Sequence, residues 1–257
     1  MAGLNLLSEN YLDSATLSIT TGAANAQFPL SNLQNPSTAK KFRSVGNTVV
    51  VVLDLVQTRD IDTIALVGDQ TYQLGVTSVS VKTSVTNDFT LSTAIPITIS
   101  SDHNIGYEFI TQVTHRFVEV TMTGTGSYAE LGRLYVGKRT TITQNSLSIG
   151  SFKYSYQDRT RVSSNRYGQK FIDELPLQKA IGGRIEFATK DEQEIIDDLY
   201  IRHGIHEPIW VIVDPNSDGM NEGQFKLAMY SYFESQPSWS ASGGQTYSTE
   251  MNFKQVV

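Results

Sequence analysis

From about residue 48 to residue 137 the apolar positions fall in short runs and two-residue alternations, separated by clusters of Gly, Ser, Thr and Asn. Thr48–Leu55 and Ile61–Gly68 are nearly continuous apolar runs of strand length, a pattern suited to central strands buried on both faces. Thr77, Val79, Val81 and Thr83 alternate with Ser78, Ser80 and Lys82, which predicts a strand with one wet face. Ile95, Ile97 and Ile99 alternate too, but Pro96 cannot donate to a ladder, so that strand belongs at an edge. Val118, Val120 and Met122 predict another strand, and Leu134–Val136 a last short one. Short strands with turn signals at this density predict an antiparallel sandwich rather than a parallel α/β sheet.

Lys138 to Gly150 is polar and poor in large apolar residues, and a boundary is expected there, giving domains 1–140 and 141–257. Beyond it, Phe152, Tyr154 and Tyr156 alternate along an aromatic strand, and Ile209–Val213 is a buried run. Phe225, Leu227 and Met229 alternate, and Tyr247, Met251 and Phe253 mark a final strand. One helix is expected near 190–203. Thr189 and Glu192 form a capping box in which each side chain satisfies a backbone donor at the other end of the first turn. Ile195, Ile196, Leu199 and Tyr200 gather on one face, and Gly204 can take the left-handed stop. The fold class is therefore mainly β: an N-terminal antiparallel sandwich of jelly-roll type, then a β-rich, tube-like domain with one α-helix.

Composition sharpens this picture. The 26 Ser and 26 Thr residues favour half-buried strands over helices. The absence of Cys removes disulfides, thiolate zinc sites and cysteine nucleophiles. The longest aliphatic run, Val49–Leu53, is far short of the roughly 20 residues a spanning helix needs, so no membrane insertion is expected. The first residues carry no basic segment before an apolar one, so no signal peptide is expected. A formal net charge of −6 argues against bulk nucleic-acid affinity.

Several motifs invite chemistry, and most have a plainer reading. His203-Gly204-Ile205-His206 resembles a metal cluster, but Gly204 ends the helix, so the two imidazoles need not share a face. Gly124-Thr125-Gly126-Ser127-Tyr128-Ala129 fits a dinucleotide loop, yet no helix can follow before the next strand, so it reads as a sheet-edge turn. Asp214, Asn216 and Asp218 match the front of a calcium loop, but its twelfth position is Phe225, and a hairpin turn explains the same residues. No metal and no cofactor are expected. The acid pairs Asp60/Asp62 and Asp197/Asp198 read as solvated surface, and no nucleophile elbow or phosphate loop is present. An enzyme is not expected. Residues 151–170 place Lys153, Arg159, Arg161, Arg166 and Lys170 among Phe152, Tyr154, Tyr156 and Tyr167. That mixture suits single-stranded nucleic acid or a subunit interface, and the acidic remainder of the chain favours the interface.

Phe28-Pro29-Leu30-Ser31-Asn32-Leu33, Lys41–Ser44, the two apolar runs, Arg116–Val120 and Leu131–Gly137 come in the order seen in discoidin or galactose-binding-like jelly rolls, which residues 1–137 resemble. Arg133 stands where many members carry an acid. A jelly roll joined to a small β-domain with one outer helix is similar to tail-tip proteins of long-tailed bacteriophages. That resemblance implies a structural subunit of a virion tail tip or baseplate, assembled in the host cytoplasm. Its partners would be its own copies in a ring, a hexamer by resemblance, together with other tail proteins and a host-surface glycan. Ring closure needs strands that pair between copies, and Tyr154, Tyr156, Arg159, Arg161, Tyr247 and Phe253 are the expected interface residues. The rival reading is a carbohydrate-binding module, with Asp102, His103, Asn104 and Tyr107 as glycan-loop candidates.

Overall fold

The structure, a computed structural model, describes residues 3–68, 74–100, 104–142, 153–175, 177–214, 227–243 and 246–256. Strands dominate, the sheets are antiparallel in every described register, and one α-helix occurs among the described residues, in agreement with the fold class expected from the pattern. The chain divides into two compact units. Leu6–Thr140 builds one; residues up to Asn5 join the described chain after Thr141 in the other. In chain order the strands begin β1 (Gly3–Leu7), β2 (Thr16–Thr21), β3 (Phe42–Arg43), β4 (Thr48–Val67), β5 (Val76–Ser84) and β6 (Ile95–Pro96). They continue with β7 (Thr98–Ser100), β8 (Ile105–Gly124), β9 (Glu130–Leu131), β10 (Arg133–Gly137) and β11 (Thr140–Ile142).

In the first unit the two apolar runs are halves of one 20-residue strand, β4, which pairs with the equally long β8 from Thr48↔Thr123 to Val67↔Ile105. Register shifts fall between Asp54 and Arg59 and between Ile61 and Thr63, and Val56 sits there at φ 69. Such bulges bend a ladder and increase its twist. The neighbours change across the bend: β2 flanks β4 before it and β10 after it, while β7 and β5 flank successive halves of β8. The ladder thereby folds over its own core, where Val51, Leu53, Ile64, Leu66, Val118 and Val120 meet. Asp54 pins the bend. It accepts the Val56 N–H at 2.8 Å and both Nε and Nη2 of Arg116, at 2.7 and 2.8 Å. β6, with Pro96, lies at the edge, as expected.

Arg133, 5% exposed, has a structural task. Its Nη2 donates to both Asp13 carboxylate oxygens at 2.9 and 2.7 Å, and its Nη1 donates to the Gln34 carbonyl at 2.7 Å. It ties the two short 3-10 turns, Tyr11–Ser14 and Leu30–Gln34, to β10.

In the second unit β12 (Lys153–Gln157), β13 (Arg161–Ser164), β14 (Lys170–Asp173) and β15 (Gln178–Ala188) precede the helix α1 (Lys190–His203). After it come β16 (Ile209–Asp214), β17 (Ala228–Phe233), β18 (Ser240–Gly243) and β19 (Thr246–Gln255). The main sheet runs β11-β1-β16-β17-β19-β15-β12, with β18 also on β19. The first strand of the chain therefore belongs to the second unit's sheet, although the sequence reading groups it with 1–140. Five residues carry no periodicity long enough to reveal a distant partner.

The capping box forms as expected: the Thr189 hydroxyl accepts from the Glu192 N–H, and the Glu192 carboxylate accepts from the Thr189 N–H at 2.9 Å. Gly204 closes α1 at φ 55. The buried stripe is Glu192, Ile196, Leu199 and His203, so Ile195, expected inside, faces out. Tyr200 meets the Phe233 ring edge-on at 5.4 Å. No helix among the described residues is long and apolar enough to cross a membrane.

Candidate functional site

The second unit carries a surface whose strand residues are all exposed. β12 is the last strand of the main sheet, paired with β15 from Lys153↔Gly182 to Gln157↔Gln178, and every residue of it is exposed. Beyond it, β13 and β14 form a separate two-stranded ribbon, again exposed at every strand position. Local bonds hold its ends. The Asn165 carboxamide oxygen accepts the Tyr167 and Gln169 N–H groups, its Nδ2 donates to Gln169 Oε1 at 2.7 Å, and Gly168 supplies φ 81. At the other end Asp158 accepts the Thr160 N–H at 2.8 Å, and its bonds to Thr160 hold the carboxyl below its ordinary range.

Val162 and Ile172, each 61% exposed, lie opposite one another on one face of the ribbon, with Lys170 on that face. Phe171, 57% exposed, lies on the other face, as Arg161 does. Tyr154 and Tyr156 stand at the neighbouring edge with ring centroids 6.0 Å apart, and Arg166 stacks on Tyr167 at 4.7 Å. An isolated two-stranded hairpin is marginal in water, and exposed apolar groups grouped among charges mark interaction surfaces.

A second cluster, in the first unit, escapes the sequence reading. β3 pairs with β9, which sets Arg43 opposite Glu130. The Arg43 guanidinium stacks on Phe28 at 4.4 Å and on Tyr128 at 4.3 Å, while its Nε donates to Glu130 at 2.5 Å. Lys41 also pairs with Glu130, at 2.7 Å. Tyr128 is 38% exposed. Phe28, Lys41, Arg43 and Tyr128 are all visible in the sequence, but 85 residues separate Arg43 from Tyr128, and the pairing of β3 with β9 and the Ser44–Ala129 hydrogen bonds beside it bring them together.

The expected site residues fare unevenly. Tyr154, Tyr156, Arg159 and Arg161 are exposed, as an interface would require. Phe253 is not: it is fully buried, its ring 5.0 Å from that of Phe233. Tyr247 is half-buried and pairs with Ala188 and Ala241. Both edges of β19 are taken by the chain's own strands, β15 on one side and β17 and β18 on the other, so β19 is no rim for a sister copy. The aromatic alternation looks the same for an inner and an edge strand.

In the proposed glycan loop, Asp102 and His103 lie outside the described residues. Asn104 sits at φ 55, and its carbonyl accepts the Gly68 N–H. Tyr107 is 1% exposed within β8, so it offers no stacking platform to solvent. Asn216 and Asp218 lie outside the described residues, and Asp214 ends β16, its side chain likewise outside them.

Among the described residues no group of three or more His, Asp or Glu side chains could hold a metal. The Gly124–Ala129 motif is a turn: a methyl group at Gly124 would overlap the Tyr128 carbonyl, and Asn47 Nδ2 bonds the Gly124 carbonyl. Asp62 is buried rather than solvated, accepting from Thr63 Oγ1 at 2.7 Å and the Arg139 N–H at 2.9 Å. Asp60 bonds Thr114 and Lys138, which hold its carboxyl below the ordinary range, the opposite of what a general acid requires. Asp197 accepts from Trp239 Nε1 at 2.7 Å. Burial lowers the His203 imidazole, whose Nδ1 lies 3.3 Å from Glu207. A polar cleft lies in the second unit, lined by Arg184, Glu250, Asn252 and the hydroxyls of Ser235, Ser240 and Ser248, with no imidazole among its lining residues.

No protein-family model matches the chain, and no curated protein matches it. Among solved structures it is similar to CBM32-1 from a family 31 glycoside hydrolase of Clostridium perfringens: 10% identity, 51% of this chain and 99% of that one, TM-score 0.43. The lectin domain of lectinolysin complexed with Lewis B antigen is similar at 13% identity, over 51% of this chain and 98% of that one, TM-score 0.43. So is chitosan-binding module 1 derived from the chitosanase/glucanase of Paenibacillus sp. IK-5, at 19% identity, over 51% and 99%, TM-score 0.40.

Proposed function

We propose that the protein is a non-enzymatic structural subunit that assembles with copies of itself through the ribbon β13–β14 and the edge of β12 that no described strand covers. The observation that carries this reading is the Val162–Ile172 pair, each side chain 61% exposed on a ribbon whose strand positions are all exposed. Covering each of these side chains is worth about 1–2 kcal/mol. Aliphatic groups beside the basic residues favour a protein partner over nucleic acid, because phosphate would leave them wet. A ring in a phage tail tip is the setting that the sequence resemblance supplies for such a subunit. The test is sedimentation velocity of the full chain over a concentration series, beside Val162→Asp with Ile172→Asp. Assembly is expected for the native chain and its loss for the variant, with the tryptophan fluorescence of Trp210 and Trp239 unchanged. A native chain that stays monomeric throughout overturns the proposal.

One observation favours a second reading, carbohydrate recognition by the first unit. The Arg43 guanidinium over the Phe28 and Tyr128 rings, beside Glu130 and Lys41, combines aromatic faces with hydrogen-bonding groups at the surface. Sugar sites need that combination. A glycan array should then show binding that Tyr128→Ala abolishes; an array without binding refutes this reading.

A further inference from the structure

We infer that the surface receiving the ribbon is the outer face of α1 in a second copy of this chain, a head-to-tail contact. The inference rests on the proposed self-assembly and adds the docking partner. α1 leaves a stripe outside at helical spacing: Asp191, Glu194, Ile195, Asp198 and Ile201, with Ile205 just beyond the helix. Ile195 is 37% exposed, Ile201 78% and Ile205 57%, so the stripe interleaves bare aliphatic groups with carboxylates. The ribbon face that presents Val162 and Ile172 carries Lys170, and the opposite face carries Phe171 beside the Arg161–Asp173 pair.

The charges agree over the whole elements. Lys153–Asp173 holds five Lys and Arg against two Asp, and Lys190–His203 holds five Asp and Glu against two Lys and Arg. Two surfaces of opposite sign, each with aliphatic groups among its charges, meet without burying like charges together. Within one copy every strand position of the ribbon is exposed, so the contact is made between copies. Because donor and receiver are different patches of one chain, the contact repeats head to tail, and it closes as a ring or grows as a filament.

Charge reversal tests this on the full chain. Arg161→Glu with Lys170→Glu reverses one basic side chain on each face of the ribbon; Glu194→Lys with Asp198→Lys reverses the helix. All four side chains are at the surface, and the capping pair Thr189–Glu192 is left intact. Each reversed chain alone is expected to self-associate at least about tenfold more weakly by sedimentation. An equimolar mixture of the two is expected to recover assembly, because each then finds its complement, and the recovery excludes misfolding as the cause of the loss. If the native chain assembles and Val162→Asp with Ile172→Asp dissociates it, but the mixture gives no recovery, the helix is not the receiver: the inference falls and the proposed function stands. A native chain that is monomeric overturns both.

Discussion

Lys179 is a basic side chain in the wrong solvent. It lies on β15, 5% exposed, with Nζ donating to the Ala228 carbonyl at 3.1 Å. Burial pulls its ammonium from 10.5 to about 7. Each unit of such a shift corresponds to about 1.4 kcal/mol, so keeping the charged form inside the fold costs at most about 5 kcal/mol. Below pH 7 folded and unfolded chains both carry the proton, and the whole cost falls on the fold. Between about pH 7 and pH 10.5 the unfolded chain still binds the proton and the folded chain releases it, so stability rises with pH across that window. Lys179→Met removes the charge while keeping a long, flexible side chain. It also deprives the Ala228 carbonyl of a donor, which costs about 1 kcal/mol. The variant should be more stable than the native chain by roughly 2–4 kcal/mol near pH 6, with the gap closing as the pH approaches 10. Urea unfolding followed by tryptophan fluorescence reads this directly, because Trp210 and Trp239 are the only two tryptophans and both lie in the unit that holds Lys179. Parallel pH profiles for the two proteins, or a variant less stable near pH 6, would refute the reasoning.

Other expected outcomes are read by similar means. Arg133→Met should destabilise the first unit by about 2–3 kcal/mol, seen by calorimetry as a lowered transition with no tryptophan signal, because the ties to Asp13 and Gln34 are lost together. Thr189→Ala should cost about 1 kcal/mol in urea unfolding through loss of the helix cap, with Thr189→Ser restoring most of it. Phe253→Ala should cost about 3–5 kcal/mol as a core cavity and leave the oligomeric state of the folded chain unchanged; dissociation without destabilisation would return Phe253 to the interface.

Patterns local to the chain were legible in advance. The apolar runs of β4 appear as strand where continuous hydrophobicity puts them, and the Val79/Val81 and Val118–Met122 alternations and the edge strand with Pro96 appear where a two-residue period puts them. The capping box is as local, needing only Thr189 and Glu192 three residues apart. On the inner face of α1, Ile196, Leu199 and Tyr200 lie where the helical spacing puts them and Ile195 does not. Ile195 and Ile196 are equally apolar, and only the direction of the sheet decides which of them faces it.

The interface candidates divide along the same line. Tyr154 and Phe253 both belong to alternating aromatic strands, yet one stands on an edge and the other in the middle of the sheet. Strand order is a long-range property that alternation does not encode. The Arg43 cluster was hidden for the same reason, since Tyr128 reaches it through the pairing of β3 with β9.

The amino-acid sequence by itself determined that this chain is mainly β, where its helix and several of its strands lie, and that a basic, aromatic segment interrupts the second half. Those properties follow from hydrophobic period and capping chemistry, which act over a few residues. Tertiary structure alone decided which strands are inner and which are edges, and that Val56 sits where β4 bends. It also decided that β1 joins the sheet of the second unit and that the ribbon stands bare. Each of these depends on what distant segments cover, and burial is a property of the assembled chain rather than of any stretch within it.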